Sequence, residues 1–181
     1  MEETVVKEKE TELNEAGIEG GKFLSFFLGE EEYAIEILKV QEIIGLMPIT
    51  PVPKMPSYIR GVLNLRGKIV PVMNLRLRFG LQPVEDTDET CVIVVQDGKY
   101  LMGVLVDKVS EVADIITNQI EEVPSFGIEA NSDYLAGIAK VQDSVKMIVD
   151  VHKVVFDVAD EVKAPANAVA QEEVLEQSEA E

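Results

Sequence analysis

Between residues 22 and 160 the apolar positions fall in short blocks separated by Gly, Pro or charged residues. Val, Ile, Leu and Phe over 22–28, 33–37, 90–96 and 100–106 predict four strands, since such side chains suit a pleated surface. Turns at 29–32 (GEEE) and 97–98 (DG) join them into two hairpins. Two more hairpins follow, turning at Arg66-Gly67 and at Gln142-Asp143, each after a helical turn near Tyr58 or Tyr134. Pro71 lies in one returning strand; proline has no N–H for the ladder, which predicts an edge or bulge position. Both returning strands run into short helices, over 75–79 and 151–156.

The pattern is written twice. Residues 34–43, AIEILKVQEI, match 103–112, GVLVDKVSEV, at an offset of 69. Residues 57–65, SYIRGVLNL, match 133–141, DYLAGIAKV, at an offset of 76, and that register continues into 72–75 and 148–151. Three blocks in the same order mark an internal duplication, with approximate units 22–83 and 90–160. Four or five short strands per unit suit small SH3-like barrels. Neither unit has enough core alone, so the expected fold is mainly β: two pseudo-symmetric five-stranded barrels packed together, with a few short helices. The pattern is compatible with strand exchange between the units.

Charge redraws the ends of the chain. The 181 residues carry a formal net charge of −18. Residues 1–20 hold seven Glu against two Lys, and 161–181 hold six Glu against one Lys. Such segments offer little apolar surface to offset ordering entropy. Residues 1–21 and 161–181 are therefore expected to be disordered tails, with a short helix over 171–177 as the alternative. An acidic chain is a poor nucleic-acid ligand. The N-terminus lacks the basic start and apolar stretch of a signal peptide, and no apolar run approaches a membrane span. The expectation is a cytoplasmic protein with no membrane insertion.

Candidate chemistry is sparse. His152, the one histidine, aligns with Arg76 of the first unit, a surface cation position. Cys91, the one cysteine, heads an apolar strand, as a small core residue does. No phosphate loop, dinucleotide fingerprint or metal-ligand spacing occurs, so no catalytic residue, metal site or cofactor is expected. The charge pattern does suggest a binding site. Residues 43–84 contain no acid and six bases: Lys54, Arg60, Arg66, Lys68, Arg76 and Arg78. In the second unit Ala136, Gln142, Ser144 and Val154 stand where Arg60, Arg66, Lys68 and Arg78 stand in the first, so the fold does not require those charges. Arg66 at a hairpin tip can pair bidentately with a carboxylate. The stretch 39–42, and its copy at 108–111, offers a second candidate, a docking edge around Val40.

Residues 53–80, PKMPSYIRGVLNLRGKIVPVMNLRLRFG, resemble the CheW family of bacterial chemotaxis coupling proteins. Further matches are GEEEYAIEILKVQEI at 29–43, VDKVSEV at 106–112 and YLAGIAKV at 134–141, so the likeness spans 22–160. The resemblance implies two pseudo-symmetric five-stranded barrels and no enzymatic activity. It implies an adaptor that couples the cytoplasmic tips of methyl-accepting chemoreceptors to the histidine kinase CheA, through the kinase's homologous domain. That would place it in arrays beneath the inner membrane, with other copies of itself as possible neighbours. By resemblance Val40, Arg60 and Gly61 face the kinase. Ile37, Glu42, Arg66 and the strand around Met102, Gly103 and Val104 face the receptor. The two surfaces adjoin, so single residues are exchangeable between them. The rival within the family is a coupler of a chemosensory pathway for pilus motility or gene expression. Outside it stand a small-ligand binder or enzyme in the inter-barrel groove, and a nucleic-acid role for the basic segment.

Overall fold

The computed structural model describes residues 17–124 and 132–155. Most of both acidic segments, and the alternative helix at 171–177, lie outside the described residues. Folded structure nevertheless starts before residue 22. Ile18 is buried, and the Gly20 amide donates to Thr117 Oγ1 at 3.0 Å.

The first half of the chain gives β1 (Gly21–Leu28), β2 (Glu31–Glu36), β3 (Val40–Gly45), β4 (Ile59–Leu65) and β5 (Lys68–Asn74). The helix α1 (Leu75–Arg78) follows, its first turn capped by Asn74 Oδ1, which accepts from the Leu77 amide at 3.3 Å. The second half repeats the series as β6 (Cys91–Asp97), β7 (Tyr100–Val106), β8 (Lys108–Ile115), the two-residue β9 (Ile120–Glu121), β10 (Leu135–Val141) and β11 (Ser144–Val149). Residues 151–155 are helical, and Asp150 accepts from the Lys153 amide at the position equivalent to Asn74. The protein is mainly β, with two sheets and a few short helical turns.

Neither sheet belongs to one half. One runs β8-β1-β2-β11-β10-β9 and the other β3-β6-β7-β5-β4, so each half contributes its opening hairpin to the sheet of the other. The two parallel seams are one joint made twice. Ile148 faces Ala34 across β11–β2, and Val72 faces Gly103 across β5–β7. Those residues are related by the sequence offsets of 76 and 69. Both β4 and β10 also shift register at the same place, Ile59/Gly61 and Leu135/Gly137.

Short joints enforce the exchange. In a sheet made from one half alone, β3 would lie beside β1 and run parallel to β2. The chain would first have to travel back a strand length, roughly 20 Å. The joint between β2 and β3 is the single turn Ile37–Lys39, which spans at most about 11 Å. Between β7 and β8 there is only Asp107. Each hairpin is therefore delivered across to the opposite sheet.

Period-two alternation then builds three apolar layers. Leu24, Phe26 and Leu28 of β1 meet Ile93 and Val95 of β6 and Met102, Val104 and Val106 of β7 in a core shared by both sheets. Phe23 faces a smaller core inside the first sheet, with Ala34, Ile115 and Ile148. Val92 and Val94 face a matching core inside the second, with Leu63, Val70 and Leu105. Pro71 is not on an edge strand. It sits opposite Val62 of β4, one residue before the ladder to β7 begins at Val72, so the second neighbour makes no demand on its missing N–H.

Candidate functional site

The second sheet and its β4–β5 turn carry three of the six cations of the basic segment, Arg60, Arg66 and Lys68, and the structure divides the six by role. Arg76 is structural. Its Nε donates to both oxygens of Asp107 at 2.9 Å and its Nη1 to the Gln82 carbonyl at 2.9 Å, while Asp107 also accepts from the Gly29 amide. Burial raises the Asp107 pKa, but the Arg76 and Gly29 hydrogen bonds outweigh it and the net shift is downward. Arg78 is structural too. Its guanidinium lies 4.3 Å from the ring centre of Tyr58 and 4.6 Å from that of Tyr134. Those tyrosines are equivalent residues of the two halves, so Arg78 sits between the copies, while its counterpart Val154 is buried apolar core.

Arg60, on β4, is clasped by Asp86 of the inter-half linker, its Nη1 donating to Oδ1 at 2.8 Å. The Arg60 hydrogen bonds hold the Asp86 carboxyl below the usual carboxylate range. Arg66 stands at the tip of the β4–β5 hairpin with φ 51°, followed by Gly67 at φ 86°. Two left-handed residues match the twist of paired strands, and Asn64 Oδ1 accepts from the Gly67 amide at 2.7 Å. The turn projects the Arg66 side chain, 72% exposed, across the sheet's open side to Glu42 on β3. Because β3 and β4 are the two edges of this sheet, the Arg66–Glu42 pair bridges one edge to the other. Lys54 and Lys68 are exposed.

The other residues singled out by sequence are placed unequally. Ile37 opens the β2–β3 joint and Val40 begins β3, both half-buried against the shared core. Gly61 is buried; a Cβ there would lie 2.1 Å from the Thr50 carbonyl oxygen, and its φ is 145°. Only glycine lets the Thr50 strand cross so closely, which gives Gly61 a backbone role. Met102, Gly103 and Val104 lie on β7, between β6 and β5, and all three are buried. Their side chains do not reach the surface of this conformation, so any part they have in recognition is to support the sheet.

Several exposed apolar residues escaped the sequence reading. Leu38, in the joint, is 92% exposed. Ile43 and Ile69 on the second sheet and Met47 just after β3 are exposed, and so are Val112 and Val145 on the first sheet and Ile116 just after β8. These are the same three positions under the offsets of 69 and 76, so each sheet presents an equivalent apolar set. Around them the charges differ. Arg66 and Lys68 flank the turn of one sheet; Gln142, Asp143 and Ser144 flank that of the other. The duplication itself was the signal that finds these residues.

His152 Nδ1 and Lys39 Nζ both meet Asp97, the latter at 2.7 Å, tying the joint to the last helix. Hydrogen bonds from Lys39 and then His152 hold the Asp97 carboxyl below its usual range. A groove of about 440 Å³ runs beside this cluster, lined in part by Lys39 and His152, both directed at Asp97, and by Lys153. Burial pushes the Cys91 thiol up, away from nucleophilic character. Among the described residues no three His, Cys, Asp or Glu groups gather as a metal site, and no helix is long and apolar enough to cross a membrane.

Residues 22–158 match the model of the CheW-like domain. The chain belongs to the CheW-like domain family. It is 42% identical over 134 residues to the chemotaxis protein CheW of Klebsiella aerogenes, covering 74% of this chain and 81% of that one. It is 32% identical over 150 residues to CheW of Bacillus subtilis, covering 82% and 96%. Among solved structures it is similar to the scaffolding protein TtCheW of Thermoanaerobacter tengcongensis, with a TM-score of 0.69, 35% identity, and 74% and 90% of the two chains covered. Membership makes this CheW-like chain a chemotaxis coupling adaptor.

Proposed function

We propose that this protein couples the cytoplasmic tips of methyl-accepting chemoreceptors to the histidine kinase CheA, without bond chemistry of its own, in cytoplasmic arrays at the inner face of the membrane. The observation that carries this reading is the pair of equivalent apolar sets set among unlike charges. Ile43, Met47 and Ile69 are exposed in the barrel whose hairpin turn carries Arg66 and Lys68; Val112, Ile116 and Val145 are exposed in the barrel whose turn carries Asp143. Two homologous barrels whose equivalent turns differ in charge suit head-to-tail docking against another barrel of the same kind, whether the kinase's homologous domain or a second copy of this chain.

The kinase-facing surface is assigned to Val40 and Arg60, with Gly61 holding the backbone between them and the Thr50 strand. The receptor-facing surface is assigned to Ile37, Glu42 and Arg66, with Leu38 added for its exposure and β7 residues Met102–Val104 as support beneath. Coupling is then a free energy linking two binding events on one small scaffold, and several modest contacts act together in an array.

A pull-down with a receptor tip fragment and the kinase domain, separately and together, tests the reading. Capture of both, with enhanced recovery of the ternary complex, is expected; capture of neither overturns it. A coupler serving pilus motility or gene expression differs only in which receptor and kinase are captured.

A further inference from the structure

The interior of the first sheet contains a charged cluster that its twin lacks. Lys146 on β11 is 3% exposed, and its Nζ donates to Ser25 Oγ at 3.1 Å and to Glu32, itself 12% exposed, with Glu111 at 3.6 Å. Ser25 and Glu32 belong to the hairpin β1–β2, which arrives from the other half of the chain. The offsets place Val70, Val94 and Leu101 at the equivalent positions of the second sheet, where they pack together as apolar core. One seat for an incoming hairpin is thus ionic and the other apolar, on the same backbone plan.

We propose that the Lys146–Glu32–Ser25 cluster sorts the two homologous hairpins between their two homologous seats. The short joints keep a hairpin from the seat of its own half, but they do not keep it from the corresponding seat of a second chain. Seating β1–β2 against β5 would bury Glu32 against Val70 with no cation. Seating β6–β7 against β11 would leave Lys146 buried among Val94 and Leu101, stripped of Glu32 and Ser25 and with only the exposed, more distant Glu111 of its own half to face. An unpaired buried charge is strongly destabilising, whereas an apolar set in place of the pair is close to neutral. The cluster therefore adds little to the correct assembly and penalises both wrong ones.

The test copies the apolar seat into the ionic one, as the triple variant Ser25→Val, Glu32→Leu, Lys146→Val, and compares it with the wild-type full chain. Each protein is unfolded in urea and refolded over a range of concentrations, and its products are resolved by sedimentation velocity. The triple variant is expected to fold with equal or greater stability but to give mis-seated oligomers at least several-fold more abundantly as concentration rises. Lys146→Val alone is expected to lower the folding equilibrium constant by about a hundredfold or more, because Glu32, 12% exposed, is left mostly out of solvent without its partner. A triple variant that refolds to the wild-type species in wild-type yield at every concentration overturns the proposal. One that fails to fold overturns it too, since the cluster would then be required for the fold and not for sorting.

Discussion

The guanidinium of Arg66, at the tip of the β4–β5 hairpin, meets the carboxylate of Glu42 on β3, the opposite edge of the same sheet. This ion pair bridges the two edges of the sheet, with the Arg66 side chain itself 72% exposed. Such surface pairs contribute about 0–1 kcal/mol, so the bridge is weak and a competing carboxylate from a partner can displace Glu42. Arg66→Glu is accordingly expected to leave the thermal midpoint nearly unchanged while weakening binding of the receptor tip or kinase domain more than tenfold. Calorimetric titration of the folded variant checks this, and unchanged affinity for both partners removes Arg66 from the site.

Gly61 makes the opposite prediction. With φ at 145° and the Thr50 carbonyl oxygen 2.1 Å from the place of a Cβ, Gly61→Ala is expected to destabilise the fold by about 3 kcal/mol or more. Urea unfolding measures it. Loss of kinase binding in this variant should therefore track loss of folded protein, and a Gly61→Ala protein of wild-type stability would contradict the backbone role.

Ile69 is 62% exposed on β5. Replacing it by Asp should change stability by no more than about 0.5 kcal/mol. If the apolar set is the docking surface, the same change should weaken kinase-domain binding at least tenfold. Paired melts and binding isotherms separate the two effects.

Acid should loosen the ties at Asp86 and Asp97. Both carboxyls are held below the usual range by hydrogen bonds, from Arg60 in one case and from Lys39 and His152 in the other. A folded-state pKa below the unfolded value means stability present above about pH 4 and lost as pH falls through the lowered value. Urea midpoints should therefore decline below about pH 4, with a shallower decline in Asp97→Asn than in the wild type.

Much of this was legible in the residues. Hydrophobic alternation located the hairpins, and the offsets of 69 and 76 related the halves closely enough to align their seams and bulges. Other features depended on contacts between residues far apart in the chain. Arg76 and Arg78 look like members of one basic cluster, yet one is held by Asp107 and the other lies between Tyr58 and Tyr134. Met102, Gly103 and Val104 fall by resemblance on the receptor-facing groove, yet they are buried on a strand flanked by β6 and β5. Lys146 looks like an ordinary strand lysine until Glu32, over a hundred residues away in the chain, is placed beside it.

The sequence by itself determined the family, the duplication and the mainly β class. Those follow from local pattern, which needs no partner to be read. Tertiary structure decided which hairpin sits in which sheet, which cations face outward, and where charge is buried. Pairing in a sheet is a relation between distant segments, and burial is a property of whatever those segments enclose.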